Sequence, residues 1–280
     1  MKIAATVEEI RSAVKAWKKE GLSVGFVPTM GYLHEGHQSL MQKAVSENDR
    51  VVVSIFVNPM QFGPSEDLES YPRDLEKDAS LCEASGVDLI FHPEPKEMYH
   101  PDFSSFVDMH GLTESLCGKS RPAHFRGVCT VVTKLFNIVQ PDCAYFGQKD
   151  AQQLAVIQQM VRDLNLDVTV IGCPIIREAD GLAKSSRNSY LSADERKAAL
   201  VLSQALEVAK QLLANGEQNA AKIRNAISET IQAEPIAKID YVELVDARTL
   251  QQVDSVERPV LVALAVYIGK TRLIDNFITE

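Results

Sequence analysis

Apolar strand-like runs alternate with amphipathic helical patterns over the first part of this 280-residue chain, and this alternation limits its possible folds most strongly. The runs at 22–27 and 51–57 are almost wholly apolar, as expected of strands covered on both faces. Helical patterns occupy 74–84 and 151–164. Alternation of this kind predicts a parallel sheet whose strands are joined by right-handed crossovers.

The pattern changes near residue 176, where strands and helices stop alternating. Two amphipathic helical patterns, 194–213 and 219–233, come before three strand-like runs at 239–245, 260–267 and 272–277. Helices followed by neighbouring strands are typical of an α+β unit. We therefore predict an α/β domain with a parallel sheet over residues 1–175 and a smaller α+β domain over residues 176–280.

The composition argues against several classes of protein. The net charge of −9 argues against nucleic-acid binding, because no excess of basic residues is available to neutralise phosphates. An odd number of cysteines, five, indicates reduced thiols and a cytoplasmic setting. The chain shows no signal-peptide pattern and no apolar stretch of about 18 residues, so we expect neither secretion nor a membrane partner.

The segment 27–37, Val-Pro-Thr-Met-Gly-Tyr-Leu-His-Glu-Gly-His, is the strongest functional signal. It follows an apolar strand and leads into a helical pattern, so His34 and His37 flank the start of a helix. A helix N-terminus carries unpaired N–H groups and partial positive charge, and Gly36 leaves room for a ligand near the backbone. The segment predicts a phosphate site. Two surface histidines are one alternative; a zinc pair is disfavoured because the spacing is not i, i+4 and no cysteine is near.

Two further polar segments follow predicted strands, where ligands bind in open α/β sheets. Asn58 and Gln61 offer amides for a hydroxyl or carboxylate, although a proline-driven turn with solvated amides would look similar. Gly147 permits close approach to the backbone, and Lys149 supplies positive charge for phosphate. Asp150 either caps the next helix or accepts a hydrogen bond from a ribose hydroxyl.

Two basic segments add candidate contacts for anions. Residues 183–189, Ala-Lys-Ser-Ser-Arg-Asn-Ser, have the composition of a loop that clamps phosphates and then releases them. Residues 120–127 place Arg121, His124 and Arg126 close together, which suits phosphate or carboxylate recognition. A solvated surface loop is the alternative in each case.

Taken in order, these motifs resemble the pantoate–β-alanine ligase family of the nucleotidyltransferase superfamily, over nearly the whole chain. The His-x-Gly-His motif alone is specific only for the superfamily. The segments that carry the resemblance are Pro28-Thr29-Met30-Gly31 with His34-x-Gly36-His37, Phe56-Val57-Asn58-Pro59-Met60-Gln61-Phe62, Tyr71-Pro72-Arg73, Arg121-Pro122-x-His124-Phe125-Arg126-Gly127, Gly147-x-Lys149-Asp150-x-Gln152-Gln153-Leu154 and Arg177-x-x-Asp180-Gly181-Leu182-Ala183-x-Ser185-Ser186-Arg187-Asn188.

The resemblance implies a two-step reaction. The pantoate carboxylate attacks the α-phosphate of ATP, bound with Mg²⁺, and forms pantoyl adenylate and pyrophosphate. The amine of β-alanine then attacks the mixed anhydride and forms pantothenate and AMP. The resemblance also implies a Rossmann-like N-terminal domain, a smaller C-terminal lid domain and a homodimer.

Residue roles are implied in the same way. His37 is the implied proton donor, and His34 and Lys149 are the other catalytic residues. Asp78 resembles the family's magnesium-associated acid. The implied ATP-binding residues are Met30, Gly31, Tyr32, Leu33, His34, Glu35, Gly36, His37, Gly147, Gln148, Lys149, Asp150, Ile176, Lys184, Ser185, Ser186 and Arg187. The implied substrate-binding residues are Gln61, Gln153, Asn58, Arg121 and His124, with Gln61 serving both pantoate and β-alanine.

Lys184 departs from the family pattern, which commonly has Leu or Met at this position. A lysine there resembles the Lys-Met-Ser-Lys-Ser loop of the class I aminoacyl-tRNA synthetases. Its ammonium either adds positive charge beside the pyrophosphate or faces water while the backbone binds.

Three other functions compete with the ligase. A cytidylyltransferase shares the His-x-Gly-His turn, but the pair Gln61 and Gln153 favours pantoate as substrate. A non-catalytic nucleotide-binding module would release no pyrophosphate. A zinc hydrolase would hold a metal in the purified protein.

Overall fold

A computed structural model describes residues 1–64 and 66–279, and the described chain forms two compact units. Unit 1 comprises Met1–His110, Arg121–Gln148 and Gln153–Pro174. Unit 2 comprises the residues from Ile175 onward together with two earlier segments, Gly111–Ser120 and Lys149–Gln152. Most of unit 2 thus follows residue 175, while the two short segments precede it in the chain.

Unit 1 contains a six-stranded parallel sheet, which confirms the predicted α/β class. Its strands stand in the spatial order β1-β4-β3-β2-β5-β6. The order reverses between β2 and β5, so the carboxyl ends of these two strands form the topological switch point, where ligands bind in open sheets. The strands are β1 (Lys2–Ala4), β2 (Val24–Thr29), β3 (Arg50–Ile55), β4 (Leu89–Phe91), β5 (Cys143–Gly147) and β6 (Thr169–Cys173).

Helices connect the strands of unit 1 and make up part of unit 2. The first is capped by Thr6 through a capping box with Glu9. Within the described residues the helices are α1 (Val7–Lys19), α2 (Glu35–Glu47), α3 (Leu75–Ala84), α4 (Pro95–Met98), α5 (Cys117–Ser120), α6 (His124–Val139), α7 (Ala151–Asp163), α8 (Ala193–Ala198), α9 (Val201–Ala214) and α10 (Ala220–Gln232).

The sheet of unit 1 is covered on both faces, which explains its continuously apolar strands. On one face, Leu40 and Met41 of α2 pack with Val27 and Val53 in a fully buried cluster. Phe136 of α6 makes edge-to-face contacts with Phe26 of β2 and Phe146 of β5, with ring centroids 6.4 Å apart in each pair. The strand that carries the His-x-Gly-His turn is therefore fixed by packing.

Some predicted boundaries were wrong. Helix α6 begins at His124, a start that the sequence patterns did not predict. The early start depends on Gly127, because a Cβ there would lie 2.6 Å from the backbone nitrogen of Gln61. Strand β6 ends at Cys173, and the predicted helix 194–213 is two helices, α8 and α9.

Unit 2 contains a three-stranded antiparallel sheet in the order β7-β8-β9, formed by β7 (Ala237–Asp246), β8 (Val260–Ile268) and β9 (Thr271–Ile278). Leu202 and Leu206 of α9 and Ile227 of α10 pack with Leu244 and Leu264 of the sheet. This α+β arrangement agrees with the prediction for the C-terminal part. Within the described residues, no helix has the length and apolar character needed to cross a bilayer.

Candidate active site

The turn after β2 has a backbone that depends on glycine. Gly31 has φ +85° and Tyr32 has φ +52°, both in the left-handed region. A Cβ at Gly31 would lie 2.9 Å from Cγ2 of Ile55. The hydroxyl of Thr29 donates to Ser54 O at 2.7 Å and accepts the Gly31 N–H at 3.2 Å. The turn is thus fixed before α2 begins.

Asp78 of α3 holds this turn from the side. Its carboxylate is buried and accepts the N–H groups of Tyr32, at 2.8 Å, and Leu33, at 2.6 Å. Burial raises the pKa of Asp78, while the two backbone hydrogen bonds oppose the rise. The sequence suggested a magnesium-associated acid here, and the structure places its two oxygens on the backbone of the turn.

His34 and His37 cap the N-terminus of α2 in a reciprocal arrangement. His34 is the N-cap, and its Nδ1 accepts the Gly36 N–H at 3.1 Å. The Nδ1 of His37 accepts the His34 N–H at 3.3 Å, and the ring centroids are 4.1 Å apart. The imidazoles thus form a capping box, in which Ser or Thr with Glu or Gln is usual.

This cap determines which nitrogen of each ring carries a proton. A ring nitrogen that accepts an N–H is unprotonated, so both neutral rings carry their proton on Nε2. Each imidazole can then donate a hydrogen bond from Nε2 without becoming charged. Donors at a helix N-terminus, within the partial positive charge of the helix dipole, suit an oxyanion such as phosphate.

Asn58 organises the amide segment that follows β3. It is buried and caps a short 3₁₀ turn, Pro59–Gln61. Its Nδ2 donates to Gln61 Oε1 and to Gly127 O, both at 3.1 Å, and its Oδ1 accepts the Tyr99 hydroxyl at 2.7 Å. Gln61 Nε2 contacts Met30 Sδ at 3.1 Å. Within unit 1, the side chain predicted to bind substrate therefore lies against the turn predicted to bind ATP.

Arg121 and His124 adjoin the same segment. His124 Nδ1 lies 3.0 Å from Gln61 O, and Arg121 Nη2 donates to that oxygen at 3.3 Å. Arg121 also forms a two-point ion pair with Glu66, at 2.8 and 2.5 Å. Burial raises the pKa of Glu66, but its hydrogen bond and charge interaction with Arg121 outweigh burial and lower it overall. A substrate carboxylate at Arg121 would therefore compete with Glu66.

At the switch point, β5 ends in Gly147, Gln148 follows, and a Cβ at Gly147 would meet no atom within 4 Å. This open space would admit a ligand close to the backbone. Gln153 lies on α7 and is partly exposed. Its neighbour Gln152 is buried and binds the backbone of Leu112, Ser115 and Cys117, so it has a structural task.

Unit 2 contains Lys149, the segment Lys184–Arg187 and Ile176, all of which are implied ATP-binding residues. Lys149 and Asp150 lie in a 3₁₀ turn, Gln148–Asp150, and the Asp150 side chain is exposed. Ile176 and Lys184 are joined by a backbone hydrogen bond of 2.9 Å, from Lys184 N–H to Ile176 O. They face each other at the base of a hairpin whose tip is Gly181, with φ +97°.

The clamp residues follow this hairpin. Ser185 caps a 3₁₀ turn, Ser186–Tyr190, by accepting the Arg187 N–H at 3.3 Å. Asn188 Nδ2 ties the turn back to Glu178 Oε1 at 3.0 Å and to Ala183 O at 3.1 Å. Burial raises the pKa of Glu178, while hydrogen bonds from Arg196 and Asn188 lower it, with a net lowering.

The structure thus gathers the predicted residues into two sets. Unit 1 holds Met30–His37, Asn58, Gln61, Asp78, Arg121, His124, Gly147, Gln148 and Gln153; unit 2 holds Lys149, Asp150, Ile176 and Lys184–Arg187. Sequence reasoning missed Glu66, Tyr99, Asp275 and Asn276, which support these residues. Asp275 and Asn276 had no signal beyond being polar positions in a predicted strand.

No metal-binding constellation accompanies these sets. Within residues 1–64 and 66–279, no group of three or more His, Cys, Asp or Glu side chains could hold a metal ion.

Comparisons with known proteins agree with the motifs. The family model described as pantoate-beta-alanine ligase matches residues 2–278. Pantothenate synthetase of Enterococcus faecalis is 64% identical over 280 residues, covering 100% of this chain and 99% of the relative.

Solved structures give the same result. Pantothenate synthetase from Thermus thermophilus has a TM-score of 0.94 and 46% identity over 99% of both chains. Pantoate-beta-alanine ligase from Francisella tularensis, complexed with beta-gamma ATP and beta-alanine, has a TM-score of 0.81 and 37% identity over 99% of this chain and 97% of that one. With a sheet whose switch point carries paired histidines and a family model that spans almost every residue, the chain belongs to the pantoate–β-alanine ligase family.

Proposed function

We propose that this ligase condenses pantoate with β-alanine through pantoyl adenylate, with adenylation assisted by the capped histidines of unit 1 and the cations of unit 2. The overall reaction consumes ATP and releases AMP and pyrophosphate. The proposal rests on the reciprocal cap of His34 and His37, because this cap uses Nδ1 of each ring and so places the proton of a neutral imidazole on Nε2, at a helix N-terminus.

Adenylation is the step that most needs these groups. Two anions must meet, and negative charge develops on the departing pyrophosphate. His34 and His37 donate hydrogen bonds to phosphate oxygens, and Lys149 and Arg187 add positive charge. Pre-placed donors of this kind stabilise charge where it develops, and each typically contributes about 10²–10³ in rate.

Pantoate is assigned to the amide side chains of unit 1. Gln61 is supported by Asn58 and lies against Met30, so its amide is oriented before substrate arrives. Gln153 supplies a second, partly exposed amide from α7. Two amides suit pantoate because they can donate to its carboxylate and pair with its hydroxyls.

Amide formation needs less from the protein. The mixed anhydride is already activated, so holding the β-alanine amine next to the acyl carbon supplies most of the gain as effective molarity. Gln61 is proposed to serve β-alanine as well as pantoate. Francisella tularensis ligase in complex with beta-gamma ATP and beta-alanine supports these ligands for the present chain.

Magnesium is proposed as a partner of ATP. When bound, Mg²⁺ would neutralise phosphate charge, and it commonly binds through substrate phosphates, water and one or two carboxylates. Asp78 remains the proposed magnesium-associated acid, but its buried oxygens already accept two N–H groups. We expect it to act through water or through the turn that it holds.

A homodimer and a cytoplasmic location are further proposals. The dimer proposal rests on an exposed aromatic ring, that of Phe106. This ring lies edge-to-face against Phe103 and under the guanidinium of Arg126, at 4.0 Å. All five cysteines lie within the described residues and are free thiols, which suits a reducing compartment. Sedimentation equilibrium would decide the oligomeric state; a single monomeric species would contradict the dimer.

The direct test of function is AMP release by the purified chain. We expect AMP release that requires ATP, pantoate and β-alanine together. Substitution of CTP for ATP is the matched control for a cytidylyltransferase. AMP release that does not require pantoate, or activity with CTP but not with ATP, would overturn the assignment.

A further inference from the structure

Two consecutive side chains of strand β9 bind Arg177, in the hairpin that precedes the segment Lys184–Arg187, and the backbone of Lys149. Asp275 and Asn276 are 1% and 5% exposed, although both are polar. Consecutive strand residues point to opposite faces of a sheet. One strand can therefore hold two separate segments, one on each side.

Asp275 holds the hairpin that leads into the clamp. Its carboxylate accepts two hydrogen bonds from Arg177, from Nη1 at 2.6 Å and from Nη2 at 2.8 Å. The same Nη1 donates to Gly181 O, at the tip of the hairpin, at 3.0 Å. Arg177 also pairs with Ala183 through the backbone, one residue before Lys184. The guanidinium thus fixes both the base and the tip of the hairpin to β9.

Asn276 holds the other cationic segment. Its Nδ2 donates to the backbone oxygen of Lys149 at 2.8 Å. Its backbone N–H donates to Asp275 Oδ1 at 2.8 Å, so the backbone of β9 also holds the Asp275 carboxylate. The position of the Lys149 backbone, from which the ammonium extends, is therefore tied to the same strand as the hairpin.

We propose that Asp275 and Asn276 are positioning residues that keep Lys149 and the segment Lys184–Arg187 in register with each other for phosphate binding. This inference rests on the proposed function, in which those cations bind the phosphates of ATP. Neither β9 residue touches substrate. Loss of either one displaces a cation and weakens ATP use in adenylation, while amide formation from preformed adenylate is spared.

The experiment compares Asn276→Ala and Asp275→Asn with a matched control, Asp240→Asn. Asp240 forms a comparable ion pair with Arg272 in the same sheet, at 2.7 Å, and its carboxylate also accepts the Ser120 hydroxyl rather than a group of either cationic segment. Pyrophosphate exchange into ATP, with pantoate present, reports adenylation. Single-turnover amide formation from preformed pantoyl adenylate reports the second step, and thermal unfolding reports the fold.

We expect the ATP KM in exchange to rise about fivefold to tenfold for Asn276→Ala and more for Asp275→Asn, as for loss of a hydrogen bond and of a charged pair. The rate of amide formation should stay within about twofold of the parent rate. In the control Asp240→Asn, both the ATP KM and the rate of amide formation should stay within about twofold of the parent values. Losses no larger than those of Asp240→Asn, or equal losses in both steps, would overturn the inference. If Asp275→Asn does not fold, Asn276→Ala decides alone.

Two further variants separate this inference from the proposed function. Lys149→Ala and Arg187→Ala remove the cations themselves and should slow adenylation more than any β9 variant. If they leave adenylation unchanged, the proposed phosphate roles fail. If they slow it and the β9 variants do not, only the positioning inference fails.

Discussion

The turn of unit 1 that carries the histidines and the hairpin of unit 2 that carries Lys184 are each held by a buried carboxylate, but in different ways. Asp78 accepts two backbone N–H groups, from Tyr32 and Leu33. Asp275 meets the guanidinium of Arg177 through two hydrogen bonds, and these bonds raise the pKa of Arg177. The Asp275 carboxylate is paired with a full positive charge, whereas the Asp78 carboxylate accepts hydrogen bonds from two backbone N–H groups.

The difference teaches how each segment responds to substitution. Backbone N–H groups are present whatever the side chains of the turn, so the turn of unit 1 keeps its shape as long as Asp78 and Gly31 remain. The hairpin of unit 2 depends on a particular pair of side chains, and loss of either member leaves the other without its oppositely charged partner. The histidines are thus held by the main chain, and the cations by a side-chain network.

The largest expected effect sharpens the role of the first region. We expect His37→Ala to slow adenylation by about 10²–10³, because it removes a donor from the charge that develops on pyrophosphate. Amide formation from preformed pantoyl adenylate should remain near the parent rate. Single-turnover assays of each step provide the measurement, with the exposed His100→Ala as control. Equal losses in both steps would defeat this assignment.

A smaller effect is expected when the backbone anchor itself is altered. Asp78→Asn keeps the shape of the side chain but turns an NH₂ group toward one of the two N–H donors. Leaving a buried donor unsatisfied should slow adenylation roughly tenfold to a hundredfold. The control is Asp74→Asn, which weakens the cap of the same helix by loss of charge. If both variants slow adenylation alike, the effect comes from α3 rather than from the turn.

The pH dependence of stability should separate two kinds of buried carboxylate. Glu66 has a pKa below its usual 4.5, because Arg121 outweighs the effect of burial, so its stabilising effect is present above that value and is lost as the pH falls through the folded pKa. Asp78 has a pKa above its usual 3.8, mainly through burial, so its ionisation lowers stability as the pH rises through the window between 3.8 and the folded pKa.

Urea unfolding between about pH 3 and about pH 7 measures both effects. Relative to Glu66→Gln, the parent should gain stability as the pH rises. Relative to Asp78→Asn, it should lose stability over the same range. If the stability of the parent relative to both variants changes in the same direction with pH, the opposite pKa shifts described for Glu66 and Asp78 would be contradicted.

The smallest expected effect concerns Lys184, the departure from the family pattern. Lys184→Leu should raise the ATP KM about twofold to fivefold, the range typical of one partly screened charge, and leave amide formation nearly unchanged. Lys197→Leu, at an exposed lysine in the same unit, is the control. A large loss in the second step alone would contradict a role at phosphate.

Local patterns predicted the parts of the fold that local interactions determine. The strand before Pro28 and the helix start at His34 could be placed because an apolar run, a turn and a helical pattern follow each other directly. Strand β1 was missed because three residues, Lys2–Ala4, are too few to show a periodicity. The start of α6 was missed because it depends on the contact of Gly127 with the turn at Gln61.

The supporting residues were harder to predict than the site itself. His34, Gln61 and Lys149 belong to motifs that are contiguous in the sequence, whereas Asp275 lies 98 positions from Arg177. Residues 111–120 contact the rest of unit 2 through hydrogen bonds with the buried Gln152 side chain and through the hydrogen bond of Ser120 to Asp240. Pairings of this kind arise from tertiary structure, and no local sequence pattern predicts them.

The most direct test of the account is a rapid-quench measurement on the unmodified protein with ATP, Mg²⁺ and labelled pantoate, in the absence of β-alanine. We expect pantoyl adenylate to accumulate on the enzyme and pyrophosphate to appear in an equal amount. Pyrophosphate that appears only after β-alanine is added, with no acyl adenylate in the quenched sample, would contradict it.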